Sequence, residues 1–152
     1  FADWLGFLCG TQLPVSFCAD AGVPVLDPSN LNVPSIAIGD MAGSQTVTRR
    51  VTNVSGERST FTAATSGLAG TTVTVSPASF TLNAGQSQVV TVAFTNNAAP
   101  VNTFRTGAIT WTSTKHSVRI PTVVRPVALA APAEVSSTGA AIMRLIIERW
   151  SA

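Results

Sequence analysis

The sequence has few charged residues and almost none of the side chains that most often perform acid–base chemistry. Charged residues make up 11% of the 152 positions, tyrosine is absent, and lysine and histidine occur once each, as Lys115 and His116. The formal net charge is +2, and no block of like charges occurs along the chain. Because proteins that bind nucleic acid carry clustered basic residues, this composition argues against a nucleic-acid partner.

Long apolar runs are also missing. The longest, residues 127–132 and 140–147, are much shorter than the roughly 20 residues that a membrane-spanning helix needs, so we expect no membrane span. The chain begins at Phe1 without methionine or a basic leader, which predicts a fragment or a processed product whose targeting signal lies upstream. A length of 152 residues is enough for one domain with a hydrophobic core.

The sequence lacks the residue sets that carry out catalysis or bind a metal ion. Nucleophilic catalysis needs a base beside a serine or cysteine, yet His116 is the one imidazole and no G-x-S-x-G motif occurs. Two cysteines and one histidine do not complete a zinc shell, and no glycine-rich phosphate loop is present. The acidic residues are scattered: Asp3, Asp20, Asp27, Asp40, Glu57, Glu134 and Glu148. We therefore expect no enzymatic activity, no cofactor and no metal.

β-branched and hydroxyl residues are abundant. The chain has 20 Thr, 15 Ser and 18 Val, a composition typical of strands with one face in water. Apolar and polar residues alternate in seven short segments between turn residues, which predicts an all-β sandwich. The predicted strands are Ser35–Ile38, Gln45–Val54, Ser59–Thr65, Thr71–Ser76, Gln88–Thr95, Gly107–Ser113 and Ser117–Val124.

The N-terminal region departs from this alternation. Residues 1–10, FADWLGFLCG, place Trp4, Leu5 and Leu8 on one side of a short amphipathic helix, and Gly10 predicts its end. Such a helix needs a partner to cover its apolar side. Residues 11–29 contain three prolines and no sustained period, which predicts a connector.

The C-terminal region departs from it as well. Residues 126–139 are rich in alanine, proline and serine and predict an extended linker. The following segment, AAIMRLIIERW, has apolar residues at helical spacing and predicts a short second helix. Its composition differs from that of the sandwich, which leaves a cloning-derived or frame-shifted end as an alternative to a native tail.

Several motifs occur in a recognisable order. They are LNVPSIAIGD at 31–40, TVTRRVTNVSG at 46–56, VTVSPASFTLNAGQSQVVTVAF at 73–94 and ITWTSTKHSVRIPTVVRP at 109–126. Together they resemble the fibronectin type III-like domain that follows the catalytic domain of secreted subtilisin-like serine proteases. ADWLGFLCG resembles the last helix of such a catalytic domain. Two departures from the family pattern, Arg49-Arg50 and the Ser113-Thr114-Lys115 turn, are expected to alter the surface charge and one hairpin.

The resemblance implies a domain organisation and a function. Residues 1–29 are then the end of a protease domain with a connector, 30–126 a fibronectin type III-like antiparallel β-sandwich, and 127–152 the linker and tail. The catalytic motifs of the family are not present, so the implied role is that of a secreted, non-catalytic accessory domain. Its partner is the catalytic domain of the parent protease, on which it packs to support folding, stability or substrate access.

The resemblance also implies structural roles for particular residues. Asn32, Pro34 and Ser35 lie where the connector enters the first strand, and the Asn32 amide is expected to satisfy backbone groups there. Trp111 and His116 mark the last two strands. His116 is expected to be a surface or hairpin residue and not a catalytic one.

Cys9 and Cys18 are the only cysteines. In an exported chain their pairing is favoured, and closing so short a loop stabilises the fold by roughly 2 to 3 kcal/mol. The alternative is two buried free thiols. A redox-active pair is disfavoured because the C-x-x-C spacing is absent.

A different class of function stays open. Trp111 in ITWTS is either a packing residue or an exposed ring that stacks on a sugar, which would favour a stand-alone extracellular binding module for carbohydrate or a cell surface. Asn53-Val54-Ser55 matches the N-glycosylation pattern, which chance explains equally well. A sandwich fold alone does not decide between these functions.

Overall fold

The computed structural model describes residues 1–128, and they form a β-sandwich preceded by two short helices. The all-β fold class is confirmed, with eight strands. The helices are α1 (Ala2–Thr11) and α2 (Val15–Asp20), followed by a 3₁₀ turn at Pro28–Asn30. The strands are β1 (Ile36–Ala42), β2 (Ser44–Thr52), β3 (Ser59–Gly67), β4 (Thr71–Ser76), β5 (Ser79–Leu82), β6 (Ser87–Asn96), β7 (Arg105–Thr112) and β8 (Ser117–Val127). The predicted C-terminal helix lies outside the described residues.

The strands form two sheets of unequal width. The larger sheet has the order β1-β8-β7-β3-β5, and the smaller has the order β2-β6-β4. All strand pairs are antiparallel except β1 and β8, the first and last strands, which run parallel. The chain passes from the larger sheet to the smaller one at Gly43, whose φ of +72° is in the left-handed region that favours glycine.

The eighth strand, β5, has no counterpart among the seven predicted from the sequence. It is four residues long and pairs with β3, so that Phe61 lies opposite Phe80. Hydroxyl groups also join the two strands on the outer face, where Thr60 and Thr81 are 2.7 Å apart. Four residues are too few for an alternating pattern to stand out, which is why the sequence did not predict this strand.

The core fills the space between the two sheets. In β6 the alternation predicted from the sequence is found, since Val90, Val92 and Phe94 are buried and Val89 is exposed. Each buried aliphatic or aromatic side chain of this kind contributes about 1.5 to 3 kcal/mol. The buried core residues are Ile36, Ile38, Met41, Val47, Leu68, Val90, Val92, Phe94, Ile109, Trp111, Ile120 and Val124.

Among residues 1–128, no helix has the length and the apolar character needed to cross a membrane. Helix α1 is ten residues long and α2 is six.

Candidate functional site

The two N-terminal helices form a small unit around a close contact between α1 and the chain at residues 23–26. The amide of Leu26 donates a 3.0 Å hydrogen bond to the carbonyl oxygen of Gly6. A Cβ on Gly6 would lie 3.0 Å from the carbonyl oxygen of Pro24, and one on Gly10 would overlap that of Leu26. Gly6 and Gly10 lie one turn apart on the same face of α1, and their lack of side chains allows residues 24–26 to pack directly against the helix. The helix ends at Thr11, one residue beyond the predicted end, so Gly10 lies in its last turn and also makes this contact.

A disulfide between Cys9 and Cys18 joins α1 to α2, with the two Cα atoms 5.9 Å apart. The predicted pairing is confirmed. Both cysteines are buried. A loop of this length contributes about 2 to 3 kcal/mol through the entropy of the unfolded chain.

The apolar side chains of this unit are largely uncovered. Nine large hydrophobic side chains are exposed in the described residues, and four belong to the first 25 residues. These four are Phe1, which is 99% exposed, Trp4 at 56%, Phe17 at 51% and Val25 at 57%. We call them the N-terminal apolar residues. The side of α1 that is buried contains Gly6 and Cys9, so Trp4 on the predicted apolar side remains in solvent.

Asparagine side chains connect the end of the connector to β2, which is an edge strand of the smaller sheet. The Asn30 side chain accepts a 2.8 Å hydrogen bond from the amide of Thr48. Two residues further, the Asn32 side chain accepts from the Arg50 amide at 2.8 Å and donates to the Arg50 carbonyl at 3.2 Å. The two amide groups therefore take the place of a neighbouring strand along part of this edge.

Arg49 lies beneath this edge and is 4% exposed. Its guanidinium donates to the carbonyl oxygens of Ser29 at 2.8 Å, Ser35 at 2.8 Å and Thr48 at 2.7 Å. It therefore joins the connector, the start of β1 and the middle of β2 through one side chain. Burial lowers the pKa of Arg49 because desolvation disfavours its charged form. In the described residues it has no carboxylate within salt-bridge distance.

The burial of Arg49 corrects the expectation that the Arg49-Arg50 pair alters only surface charge. In a strand, residues two positions apart point to the same face, and Arg49 lies between Val47 and Val51. Val47 is buried and Arg50 is exposed. The alternation of β2 places Arg49 on the buried face with Val47 and Val51, but arginine usually lies at the surface, so the sequence alone predicts a surface position.

A group of hydrogen bonds around Ser29 also fixes the end of the connector. The Asp27 carboxylate accepts from the amide of Ser29 at 2.8 Å and from its hydroxyl at 2.7 Å. The Gln45 side chain donates to the same Ser29 hydroxyl at 2.8 Å. Ser29 is buried, so these bonds and its carbonyl bond to Arg49 fix the point where the connector meets the sandwich.

The remaining residues singled out in the sequence lie in different places. Trp111 is 4% exposed, with its ring centroid 4.9 Å from that of Phe80, and a buried ring has no face free to stack on a sugar. His116 is exposed in the turn between β7 and β8, where its amide donates to the Ser113 hydroxyl at 3.0 Å. Pro34 is exposed beside Ser35. Asn32, Pro34 and Trp111 therefore line one cleft, Ser35 accepts a hydrogen bond from Arg49 of the same lining, and His116 lies elsewhere.

Within residues 1–128 the structure shows neither a metal site nor accessibility of the Asn53 glycosylation motif. No group of three metal-ligating side chains occurs between residues 1 and 128. Asn53 is 2% exposed, and its amide nitrogen donates to the carbonyl oxygens of Glu57 at 2.8 Å and Leu82 at 3.1 Å. An amide held in this way is not available to an enzyme in the folded domain.

Comparison with known proteins agrees with this architecture. A family model described as "Fibronectin type-III domain" matches residues 30–124. Among curated proteins, the subtilisin-like protease SBT2.6 of Arabidopsis thaliana is 33% identical over 130 residues, which cover 81% of this chain and 16% of the relative. The subtilisin-like protease SBT3.2 of the same plant is 37% identical over 134 residues, covering 81% of this chain and 18% of the relative.

A solved structure shows the same fold at low sequence identity. The CupB2 chaperone of Pseudomonas aeruginosa matches with a TM-score of 0.50 and 16% identity over 65% of this chain and 56% of that one. The chain spans only about a sixth of the length of the curated proteases that it matches. The chain belongs to the fibronectin type-III domain family, in the form carried by subtilisin-like proteases.

Proposed function

We propose that residues 30–126 are a non-catalytic, extracellular accessory domain of a subtilisin-like serine protease, and that the N-terminal apolar residues of the preceding helical unit pack against the rest of the catalytic domain. The observation that carries the proposal is the exposure of Trp4 and Phe17 on two helices joined by a disulfide, and of Phe1 and Val25 beside them. The relatives are several times longer than this chain, so a further part of a protease is the natural partner for that surface.

The energy available at this surface is sufficient for docking. Trp4 and Phe17 are about half exposed, and covering the rest of each ring contributes about 1 to 2 kcal/mol. Aromatic residues that are held on rigid elements lose little entropy when they bind. The disulfide and the crossing at Gly6 hold both helices in this way.

The connection between the helices and the sandwich suggests how the domain acts. Ser29 and Arg49 join the end of the connector to β1 and β2. A catalytic domain that ends in α1 is thereby coupled to the folded sandwich and is stabilised when the sandwich folds. The same coupling places the sandwich beside the catalytic domain, where it also influences the access of large substrates.

An extracellular location is consistent with the disulfide. Such bonds persist in oxidising compartments and are rare where thiols are kept reduced. Its cysteines are the only two in the sequence.

The experiment compares the parent protease with and without residues 31–126. The yield of folded enzyme and the rates on a short peptide and on a whole protein are measured for both. Loss of folded enzyme identifies a structural brace, whereas normal peptide cleavage with impaired protein cleavage identifies a substrate-selecting module. Full retention of all three contradicts the accessory role and favours the stand-alone binding module.

A pair of substitutions tests the docking surface itself. Trp4→Ser and Phe17→Ser in the full-length protease are expected to lower its yield and thermal stability. Val54→Ser is the matched control, because Val54 is 92% exposed and belongs to the sandwich. Equal effects of all three substitutions would contradict docking through the N-terminal apolar residues.

A further inference from the structure

A cleft opens between the two sheets at one end of the sandwich. Its lining crosses four strands of the larger sheet, from Val118 of β8 to Phe80 of β5, and includes residues 49–52 of β2. The cleft has a volume of about 340 Å³, within the range of roughly 300–1,000 Å³ that is typical of small-molecule sites.

The walls of this cleft are mainly apolar and aromatic. On the larger sheet, Phe61, Phe80 and Trp111 line it from β3, β5 and β7. Their rings follow one another, with centroids 6.2 Å apart from Phe61 to Phe80 and 4.9 Å apart from Phe80 to Trp111. Val51 of β2 lines the opposite side. Such a surface favours the apolar body of a ligand, aromatic or aliphatic.

Two side chains on the lining, Trp111 and Arg49, each have one N–H group without a protein acceptor. The indole Nε1 of Trp111 is buried and has no hydrogen-bond partner among the described residues. Arg49 also lines the cleft. Its four hydrogen bonds use four of the five N–H groups of a guanidinium. A buried N–H without an acceptor costs about 1 to 3 kcal/mol, so the remaining N–H of Arg49 favours a ligand that supplies oxygen atoms. The Nε1 of Trp111 has no accessible surface and does not take part in such a contact.

The charge of the lining is of one sign. Arg49 and Arg50 both line the cleft, and no aspartate or glutamate does. Arg49 is the one buried charged residue in the described part of the chain, and it has no counter-ion there. A carboxylate would neutralise this charge and accept hydrogen bonds at the same time.

We infer that the cleft between the sheets binds a small monocarboxylate with an apolar body, its carboxylate facing Arg49 and its body lying against Phe61 and Phe80. Neither the family match nor the accessory role of the domain assigns a ligand here. The inference also does not depend on docking to the catalytic domain, since the N-terminal apolar residues do not line the cleft.

The first experiment titrates the whole 152-residue chain with phenylpropionate and, separately, with the neutral phenylpropanol. Binding is measured by calorimetry and by the indole N–H resonance of Trp111, which Trp111→Phe assigns. Phenylpropionate is expected to shift this resonance and to bind about tenfold more tightly than phenylpropanol, because a charged hydrogen bond is stronger than a neutral one. Equal binding of the two probes, or no shift of the Trp111 resonance, would overturn the inference.

The second experiment blocks the cleft. Val118 lies opposite Trp111 in the β7–β8 pair, shares its face and lines the cleft, while remaining 54% exposed. Val118→Trp is expected to abolish binding of phenylpropionate, and Val54→Trp, outside the cleft, is expected to leave it unchanged. Because both valines are exposed, both variants retain a folded sandwich. Undiminished binding by Val118→Trp would place the probe elsewhere and overturn the inference.

Discussion

The sandwich and the N-terminal helices hold their structure by different means. In the sandwich, Val90, Val92 and Phe94 are buried by regular alternation, and the energy comes from apolar contact spread over many residues. In the helical unit the fixed points are few: one disulfide and one glycine crossing, at Gly6 and Gly10. Packing that is spread over many residues tolerates single substitutions and appears in the sequence as alternation. The disulfide and the glycine contact each depend on one or two residues and leave no such pattern.

The largest effect is expected in the centre of the sandwich. Phe94 is fully buried, and Phe94→Ala leaves a cavity that destabilises the fold by about 3 to 5 kcal/mol. Denaturant unfolding followed by circular dichroism measures the change. Phe104→Ala is the control, because Phe104 is 59% exposed. Similar losses in the two variants would contradict the assignment of Phe94 to the core.

The next effect is expected where the two regions meet. Arg49→Met removes the donors for the carbonyl oxygens of Ser29, Ser35 and Thr48, and we expect a loss of about 3 kcal/mol. Limited proteolysis between residues 27 and 35 should become faster at the same time. The neighbouring exposed residue supplies the control, Arg50→Met. An unchanged proteolysis pattern in Arg49→Met would show that the connector is held by other contacts.

A smaller and more local effect is expected in the helical unit. Replacing Cys9 and Cys18 together by serine removes about 2 to 3 kcal/mol of loop-closure stabilisation. Hydrogen exchange should accelerate for the amides of α1 and α2 and stay the same in β6. Equal acceleration in both regions would mean that the helices and the sandwich unfold together, which would remove the distinction between them.

The smallest effect is expected at the edge of β2. Asn32→Ala breaks two hydrogen bonds to the backbone of Arg50 at an exposed position, for about 1 kcal/mol. Asn83→Ala is a suitable comparison, since the Asn83 side chain makes no hydrogen bond within residues 1–128. The midpoint temperatures of thermal unfolding of the two variants measure the difference in stability. If the two midpoints are equal, the Asn32 amide has no net role in stability.

The sequence predicts most of the sandwich because period-two alternation is a direct record of burial. It predicts Val90, Val92 and Phe94 as one face, and it predicts the disulfide from the number of cysteines and the resemblance to exported proteins. It does not predict β5, which is too short to show a period. Seven strands are therefore recovered of the eight that the structure contains.

The candidate sites are harder to predict, because they depend on residues that contradict their usual preferences. Arg49 has the spacing of a core residue and the chemistry of a surface one. Gly10 has the sequence context of a helix end, and α1 ends one residue after it, but no sequence pattern shows its close approach to Leu26. The cleft is lined by residues of β2, β3, β5, β7 and β8, so its prediction requires the arrangement of the strands in space and not only their positions in the sequence.

The parallel pairing of β1 with β8 has a consequence for synthesis on the ribosome. Ile36 pairs with Thr122 and Ile38 with Val124, so the first strand finds its partner only at the end of the domain. Until β8 has emerged, the inner face of β1 has no complete sheet to join, and the nascent chain exposes Ile36, Ile38 and Met41. A chain that stops before residue 117 therefore cannot close the sandwich, and emergence of β8 is a condition for native assembly.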